Sequence, residues 1–167
     1  MNQQKFPEAA ALLESYLATH PQSDDALYLL GYVRFRQDQP KESLALFTQA
    51  AKRKAPAADD LKIVALDYVL LNDYTSAARY LEQSLQMNPD DVEARYHLGR
   101  GRYQQNQFDP AIAAFEEVLR RNPSDVKAED NLASAWRRKA GEMRLWPHTG
   151  KPSLWSRPPR YKANSPS

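Results

Sequence analysis

Few side chains in this sequence could do chemistry, and their spacing matches no catalytic or metal-binding motif. The chain has three histidines, His20, His97 and His148, and no cysteine. The histidines do not form the HxxxH or HExxH spacing that places two imidazoles on one metal ion. The lack of cysteine excludes disulfides, thiolate nucleophiles and cysteine-ligated metals. Neither a GxSxG elbow nor a glycine-rich phosphate loop occurs. We therefore predict no catalytic residue, no metal site and no cofactor.

Paired carboxylates are the remaining groups that could transfer protons. They are Asp24-Asp25, Asp59-Asp60 and Asp90-Asp91. Each pair stands where an apolar helical pattern begins, and a carboxylate there accepts hydrogen bonds from free backbone N–H groups. Helix capping explains the three pairs better than acid–base catalysis does. The sequence predicts a protein that is not an enzyme.

The chain nearly repeats itself at an interval of 68 residues. Residues 29–47 and 97–115 are identical at seven of nineteen positions, and the midpoint segment 63–81 keeps the same order of small and large residues. The paired small and large residues are Gly31 and Phe47, Ala65 and Leu81, and Gly99 and Phe115. The period is therefore 34 residues, and a period of that length is typical of a stacked repeat array.

Each period contains two apolar patterns with helical spacing, which predicts two amphipathic helices per unit. Proline after His20, Asn88 and Asn122 ends a helix, because the residue before proline is pushed out of the α region. No segment alternates with the two-residue period of a strand. The sequence predicts an all-α fold.

These residues resemble the tetratricopeptide repeat family. The family has a large residue at repeat position 7, and this sequence has Leu30, Val64, Leu98 and Leu132 there. The small residues at positions 8 and 20 are Gly31, Ala65, Gly99 and Ala133, and Ser43, Ala77 and Ala111. The large residues at position 24 are Phe47, Leu81 and Phe115. Arg34 and Arg102 depart from the pattern, since an aromatic residue is usual at position 11.

The resemblance implies a right-handed α-solenoid of stacked antiparallel helix pairs. We predict an array over residues 1–140, with full repeats at 24–57, 58–91 and 92–125 and half repeats at 6–23 and 126–140. Residues 141–167 form a basic, proline-rich tail in this interpretation. Residues 137–167 carry a net charge of +7, which leaves −5 for residues 1–136.

The resemblance also implies a function, since the first helices of such arrays line a concave groove that binds a protein or peptide. The residues at groove positions predict an apolar or aromatic partner held by a scaffold or adaptor. They are Tyr28, Tyr32, Phe35, Lys62, Ile63, Leu66, Val69, Tyr96, His97, Arg100 and Tyr103. In the alternative interpretation, the superhelix turns tightly and these side chains pack on one another.

Some members of the family clamp the acidic carboxyl-terminal tails of heat-shock chaperones with lysine and asparagine at fixed groove positions. In the best register, this sequence matches that pattern only at Lys62 and Lys127. We therefore predict that the chaperone-tail clamp is absent.

The basic segment 137–167 offers an alternative function. Its cations and aromatic residues could bind nucleic acid or an anionic membrane surface. It could also be a disordered extension, or a segment translated from another reading frame of the gene. We favour the interpretation without nucleic-acid binding.

Three further predictions concern location and assembly. No apolar run is long enough to span a bilayer, and the first ten residues lack the features of a signal peptide, which predicts a soluble, cytoplasmic protein. The half repeats are the two halves of one unit. They could complete one another head to tail between copies of the chain; in the alternative, the end helices stay exposed to solvent, which such arrays commonly tolerate.

Overall fold

In the computed structural model, residues 5–145 are described, with side chains as far as residue 142, and all regular structure in that range is helical. The helices are α1 Phe6–Thr19, α2 Asp24–Arg36, α3 Pro40–Ala51, α4 Ala58–Leu70, α5 Tyr74–Met87, α6 Val92–Gln104, α7 Phe108–Arg121 and α8 Val126–Leu145. No strand occurs among these residues, so the prediction of an all-α fold is confirmed.

The helices pack as consecutive pairs, α2 with α3, α4 with α5 and α6 with α7. Each first helix also contacts the first helix of the next unit, from α2 through α4 and α6 to α8. Over residues 5–145, no second helix contacts the next second helix. The first helices are therefore closer together than the second helices, and they form the inner, concave side of the stack.

The helix starts are fixed by side-chain caps at equivalent places in the repeat. Ser23, Asp91 and Asp125 accept hydrogen bonds from the backbone N–H three residues later, at 3.4, 2.9 and 3.0 Å. Asp60 accepts a bond of 2.8 Å from the backbone N–H of Ala57. In the three acidic pairs, capping is thus confirmed for Asp60 and Asp91, whereas the other four carboxylates form ion pairs with lysine or arginine.

The turn within each repeat contains one residue in the left-handed conformation. Asp38, Asn72 and Asn106 have φ values of 57°, 60° and 58° and occupy the same repeat position. Asp and Asn tolerate this region better than other residues with a β-carbon. The polar turn sequences therefore encode the reversal of the chain.

The small and large residues that define the period are packed directly against one another. A β-carbon added at Gly31 would lie 2.9 Å from the Phe47 ring, and one added at Gly99 would lie 2.8 Å from the Phe115 ring. In the second repeat, Ala65 is buried where the other repeats have glycine, and Leu81, also buried, replaces the phenylalanine. Alanine is larger than glycine and leucine is smaller than phenylalanine, so the volume of the pair is conserved. The two helices therefore keep native packing density.

Helix α8 continues to Leu145, five residues beyond the predicted end of the array at residue 140. Gly141 lowers helix propensity but does not prevent a helix, and the first residue that cannot continue it is Pro147. Residues 146–167, the greater part of the predicted tail, lie outside the described residues.

Candidate binding face of the first helices

The exposed surface of α2, α4, α6 and α8 is called here the first-helix face. It holds a cavity of about 470 Å³ between α6 and α8. The cavity is lined by Val92, Glu93, Tyr96, His97, Arg100, Asp125 and Lys127. Three of the predicted site residues, Tyr96, His97 and Arg100, are therefore together in one cavity.

The part of the face formed by α2 and α4 is mainly apolar. The predicted residues Tyr32, Phe35, Ile63, Leu66 and Val69 are all half-buried there. Two leucines on the same helices are more exposed, Leu29 at 56% and Leu70 at 47% of their surface. Apolar surface left accessible on adjacent helices is a feature of protein-binding sites.

Tyr28 does not belong to the exposed face, and its assignment to the groove is corrected. It is 8% exposed and packs against Phe47 with ring centroids 5.7 Å apart. Its hydroxyl donates a 2.6 Å hydrogen bond to the backbone carbonyl of Lys54. Tyr28 therefore holds the loop after α3 against α2, and a partner cannot reach most of its ring.

Two aromatic residues of α6 make contacts within the array and are also partly exposed. The Tyr96 ring lies 6.0 Å from that of Phe115, and its hydroxyl accepts a 3.2 Å hydrogen bond from the Asn131 side-chain amide. The Tyr103 ring lies 5.7 Å from that of Phe108. Both tyrosines remain half-buried, so each combines internal packing with an accessible edge.

Lys62 is surrounded by carboxylates. Its ammonium lies 2.8 Å from Asp91, 3.2 Å from Glu93 and 3.3 Å from Asp59. Burial lowers the pKa of Lys62, but the hydrogen bonds to Asp91 and Glu93 outweigh it and hold the pKa above its ordinary value. This charge is already neutralised, so Lys62 is a poor anchor for an acidic partner.

His97 is uncharged at neutral pH. Burial is the main cause that lowers its pKa below the ordinary value, and nearby Arg100 and Lys62 lower it further, against the opposing effect of Glu93. Its Nδ1 atom is buried without a hydrogen-bond partner among the described residues. Over those residues, no cluster of three or more His, Asp or Glu side chains could hold a metal ion.

Two cations in the cavity have no ion-pair partner within residues 5–142. Arg100 is exposed, with its guanidinium 6.0 Å from the centre of the Tyr96 ring, and Lys127 is exposed at the start of α8. The cavity also contains two carboxylates, Glu93, which is bound to Lys62, and Asp125, which caps α8. The lining therefore carries no net charge, and Arg100 and Lys127 are the cations available to a ligand.

Two profiles described as tetratricopeptide repeat match the sequence, one over residues 1–59 and the other over residues 68–135. Together they cover well over half of the chain. The chain belongs to the tetratricopeptide repeat family. The prediction made from the 34-residue period is thus confirmed.

Solved tetratricopeptide structures have the same fold. MamA is 19% identical over 82% of this chain and 80% of its own, with a TM-score of 0.76. YrrB, described as a TPR protein with an unusual peptide-binding site, is 23% identical over 82% of this chain and 71% of its own, with a TM-score of 0.75. The first TPR of Spaghetti (RPAP3), bound to the HSP90 peptide SRMEEVD, is 19% identical over 71% of this chain and 94% of its own, with a TM-score of 0.66. No curated protein matches.

At these identities the likeness establishes the fold alone, and it confirms the prediction of an α-solenoid. Within residues 5–145, no helix of this tetratricopeptide array is both long and apolar enough to cross a membrane.

Proposed function

We propose that this tetratricopeptide array binds a peptide or helix of a partner protein along the first-helix face. Apolar side chains of the partner pack on α2 and α4, and an acidic group lies in the cavity between α6 and α8. The observation that carries the proposal is the pairing of exposed apolar residues with two cations that have no ion-pair partner within residues 5–142, on one continuous layer of helices. The tetratricopeptide fold is a protein-interaction fold whose members are generally not enzymes.

The apolar part of the proposal rests on Leu29, Tyr32 and Leu70. These side chains are accessible although neighbouring apolar residues at other repeat positions are fully buried. Tyr32 is also held in place, because its hydroxyl accepts a 2.8 Å hydrogen bond from Arg36. An aromatic ring that is already oriented loses little entropy on binding, which is why tyrosine is common at interface hot spots.

The acidic part rests on Arg100 and Lys127. A carboxylate in the cavity would meet both cations. Of the two lysines that match the chaperone-tail pattern, Lys62 is neutralised by its own neighbours. The proposed anchor therefore shares Lys127 with that clamp and uses Arg100 as its second cation.

Substitution of the groove tyrosines tests the apolar part. Peptides would be selected from a random phage-displayed library on the immobilised full chain, and the most enriched one synthesised with a fluorescent label. We expect Tyr32→Ala or Tyr96→Ala to weaken its binding by about 1–2 kcal/mol, the scale of an aromatic anchor at a protein interface. Fluorescence anisotropy measures the affinity. Far-UV circular dichroism checks that each variant stays folded.

Tyr16→Ala is the matched control for this experiment, because Tyr16 is 47% exposed but lies on α1, outside the first-helix face. It should leave the affinity unchanged. Failure to enrich any peptide over the empty support would contradict the proposed function. So would equal binding by the wild type and both groove variants.

Reversal of the two free cations tests the acidic part. The double variant Arg100→Glu, Lys127→Glu should bind an enriched acidic peptide about tenfold or more weakly, because attraction becomes repulsion. Changing the acidic residue of the peptide to its amide should weaken binding to the wild type and spare the variant. Lys41→Glu on α3 with Lys52→Glu directly after it makes the same change in net charge outside the face. If both double variants weaken binding equally, the effect comes from long-range electrostatic attraction. The proposed contact of the peptide's acidic residue with Arg100 and Lys127 is then wrong.

The alternative function, a nucleic-acid or membrane binder acting through residues 137–167, receives no support from the described part of that segment. Lys139 forms an ion pair with Asp109, and the Arg138 guanidinium lies 5.9 Å from the centre of the Phe108 ring. These cations are engaged with α7. The rest of the segment lies outside the described residues.

Cytoplasmic location and head-to-tail self-association remain predictions. At the amino-terminal end, Leu12 and Tyr16 of α1 are exposed, and at the other end Ala133 of α8 is exposed where the equivalent small residues are buried.

A further inference from the structure

The junction between the first and second repeats contains a buried carboxyl group that the proposed function does not use. Asp67 of α4 is 0% exposed, and neither of its carboxyl oxygens has a hydrogen-bond partner among the described residues. Ser43 of α3 is also 0% exposed, and its hydroxyl makes no hydrogen bond among the described residues. It is still close enough to lower the pKa of Asp67. Buried polar groups without partners are rare, because each costs free energy of desolvation.

The equivalent places at the other junctions are apolar. The residue at the position of Asp67 is Val33, Gly101 or Ala135 in the other units, and the residue at the position of Ser43 is Ala9, Ala77 or Ala111. Val33 and Ala135 lie in hydrophobic clusters. The polar pair is therefore a local exception within the described array.

This junction is also the least closely packed of those between consecutive units. Helix α3 has 12 residues, whereas α5 and α7 have 14 each. The connection that follows α3, residues 52–57, is longer than the connections 88–91 and 122–125. A shorter helix with a longer connection leaves less packing to resist movement of α4 relative to α3, although Tyr28 holds the connection itself against α2.

No cation compensates Asp67. The helices packed against α4 are α2, α3, α5 and α6, and within the described residues none of their charged side chains acts on the titration of Asp67. Most of these charged groups make other contacts. Arg34 and Arg102 pair with Glu14 and Glu82, Arg36 donates to Tyr32, Arg79 lies over the Tyr80 ring, Arg95 donates to the Pro89 carbonyl, and Asp73 caps α5. The side chains of Lys41, Glu42 and Arg100 are exposed to solvent.

We propose that Asp67 makes the junction between the first two repeats a pH-sensitive hinge, which is closed while the carboxyl group is protonated and loosened when it ionises. An ionised carboxylate in this interface has no cation among the described residues, and Ser43 offsets its desolvation only in part, so the free energy of the closed junction rises on deprotonation. Movement at the hinge changes the spacing of α2 and α4, and its consequence for partner binding rests on the proposed function.

The direction of the pH effect follows from the protonation equilibrium. Burial raises the pKa of Asp67 from 3.8 to about 7, against a smaller opposing effect of Ser43. The folded chain therefore holds a proton that the unfolded chain releases. The stabilising contribution is complete below the unfolded pKa and is lost as the pH rises toward 7. Over that window the unfolding equilibrium constant increases by up to about tenfold per pH unit.

Asp67→Asn tests the hinge in the full chain, because the amide has the same shape and cannot ionise. Urea unfolding at several pH values between 3.5 and 8 should show that the wild type and variant are most similar at the lowest pH, below the unfolded pKa, and diverge as the pH rises toward 7. The variant should unfold at the higher urea concentration at pH 8. Since burial lowers the pKa of His97, its titration gives the opposite slope near pH 6. It is present in both proteins and cancels in the difference. Asp130→Asn, at an exposed carboxylate, is the matched control and should keep the wild-type slope.

Hydrogen exchange locates the effect. After correction for the intrinsic pH dependence of exchange, amides of α3 and α4 should lose protection from pH 5 to pH 8 in the wild type and keep it in Asp67→Asn. Amides of α7 and α8 serve as the internal reference. The proposal is overturned if wild type and Asp67→Asn have the same pH dependence, or if protection falls equally in all helices. Neither measurement uses a binding partner, so the hinge and the proposed function can fail separately.

Discussion

Gly99→Ala is expected to destabilise the chain by about 3 kcal/mol, the upper part of the range for adding a methyl group to a closely packed core. The added β-carbon would lie 2.8 Å from the Phe115 ring, a distance that requires the ring to move. Phe115 is 0% exposed, so the ring cannot move out into solvent and must displace other core side chains. Urea unfolding monitored by circular dichroism measures the loss.

The second repeat suggests the compensating change. There, Ala65 and Leu81 are both 0% exposed, so this pair packs without a void that solvent can reach. Phe115→Leu alone should destabilise the chain by leaving a cavity, whereas the double variant Gly99→Ala, Phe115→Leu should recover most of both losses. Gly141→Ala is the matched control, because no atom lies within 4 Å of its added β-carbon. Strictly additive losses in the double variant would contradict direct packing of the pair.

The features that the sequence predicts well are those that repeat with its period. Small and large residues at fixed intervals predict which helices pack closely, and polar residues predict the caps and turns. These depend on neighbours within one unit, whose positions follow from helical geometry. A single sequence with internal repeats therefore contains enough information to predict the fold.

Contacts between units were harder to predict. Arg34 and Arg102 look like departures from the pattern, yet they make the same interactions 68 residues apart. Each donates to a turn glutamine of its own repeat and forms an ion pair with a glutamate of the preceding helix. The partner glutamates, Glu14 and Glu82, lie outside the motif positions. Only the three-dimensional structure shows that they face the arginines.

The candidate site was predicted in outline and corrected in detail. Repeat positions identified the helices that form the face, but they could not show that Tyr28 is covered by the loop after α3. That loop differs from the other connections in length, so the register of the repeat does not describe it. The polar junction at Asp67 was not predicted, because an acidic residue in an amphipathic helix is normally assigned to the exposed side.

Lys62→Met is expected to destabilise the chain by about 2 kcal/mol, because it removes the ammonium beside a nearly buried carboxylate. The Asp91 side chain is 9% exposed, so its charge would be left without its cation. Breaking a buried ion pair costs about 3–5 kcal/mol, but Glu93 and Asp59 are more than half exposed and lose little. Asp91 also keeps its bond from the Ala94 N–H, which further limits the loss. Urea unfolding at neutral pH measures it.

The pH dependence identifies the cause. Burial raises the pKa of Asp91, but the bond from Lys62 and the backbone bond from Ala94 outweigh it and hold the pKa below the ordinary value. The stabilisation is therefore present above the unfolded pKa and is lost as the pH falls through the folded pKa. The deficit of Lys62→Met should be largest at neutral pH and should shrink in acid. Lys127→Met removes a cation that has no ion-pair partner within residues 5–142, and should change stability by less than about 0.5 kcal/mol. If Lys62→Met instead leaves stability unchanged and abolishes binding of an acidic peptide, then Lys62 is a ligand contact, and its assignment to the array's own ion pairs is wrong.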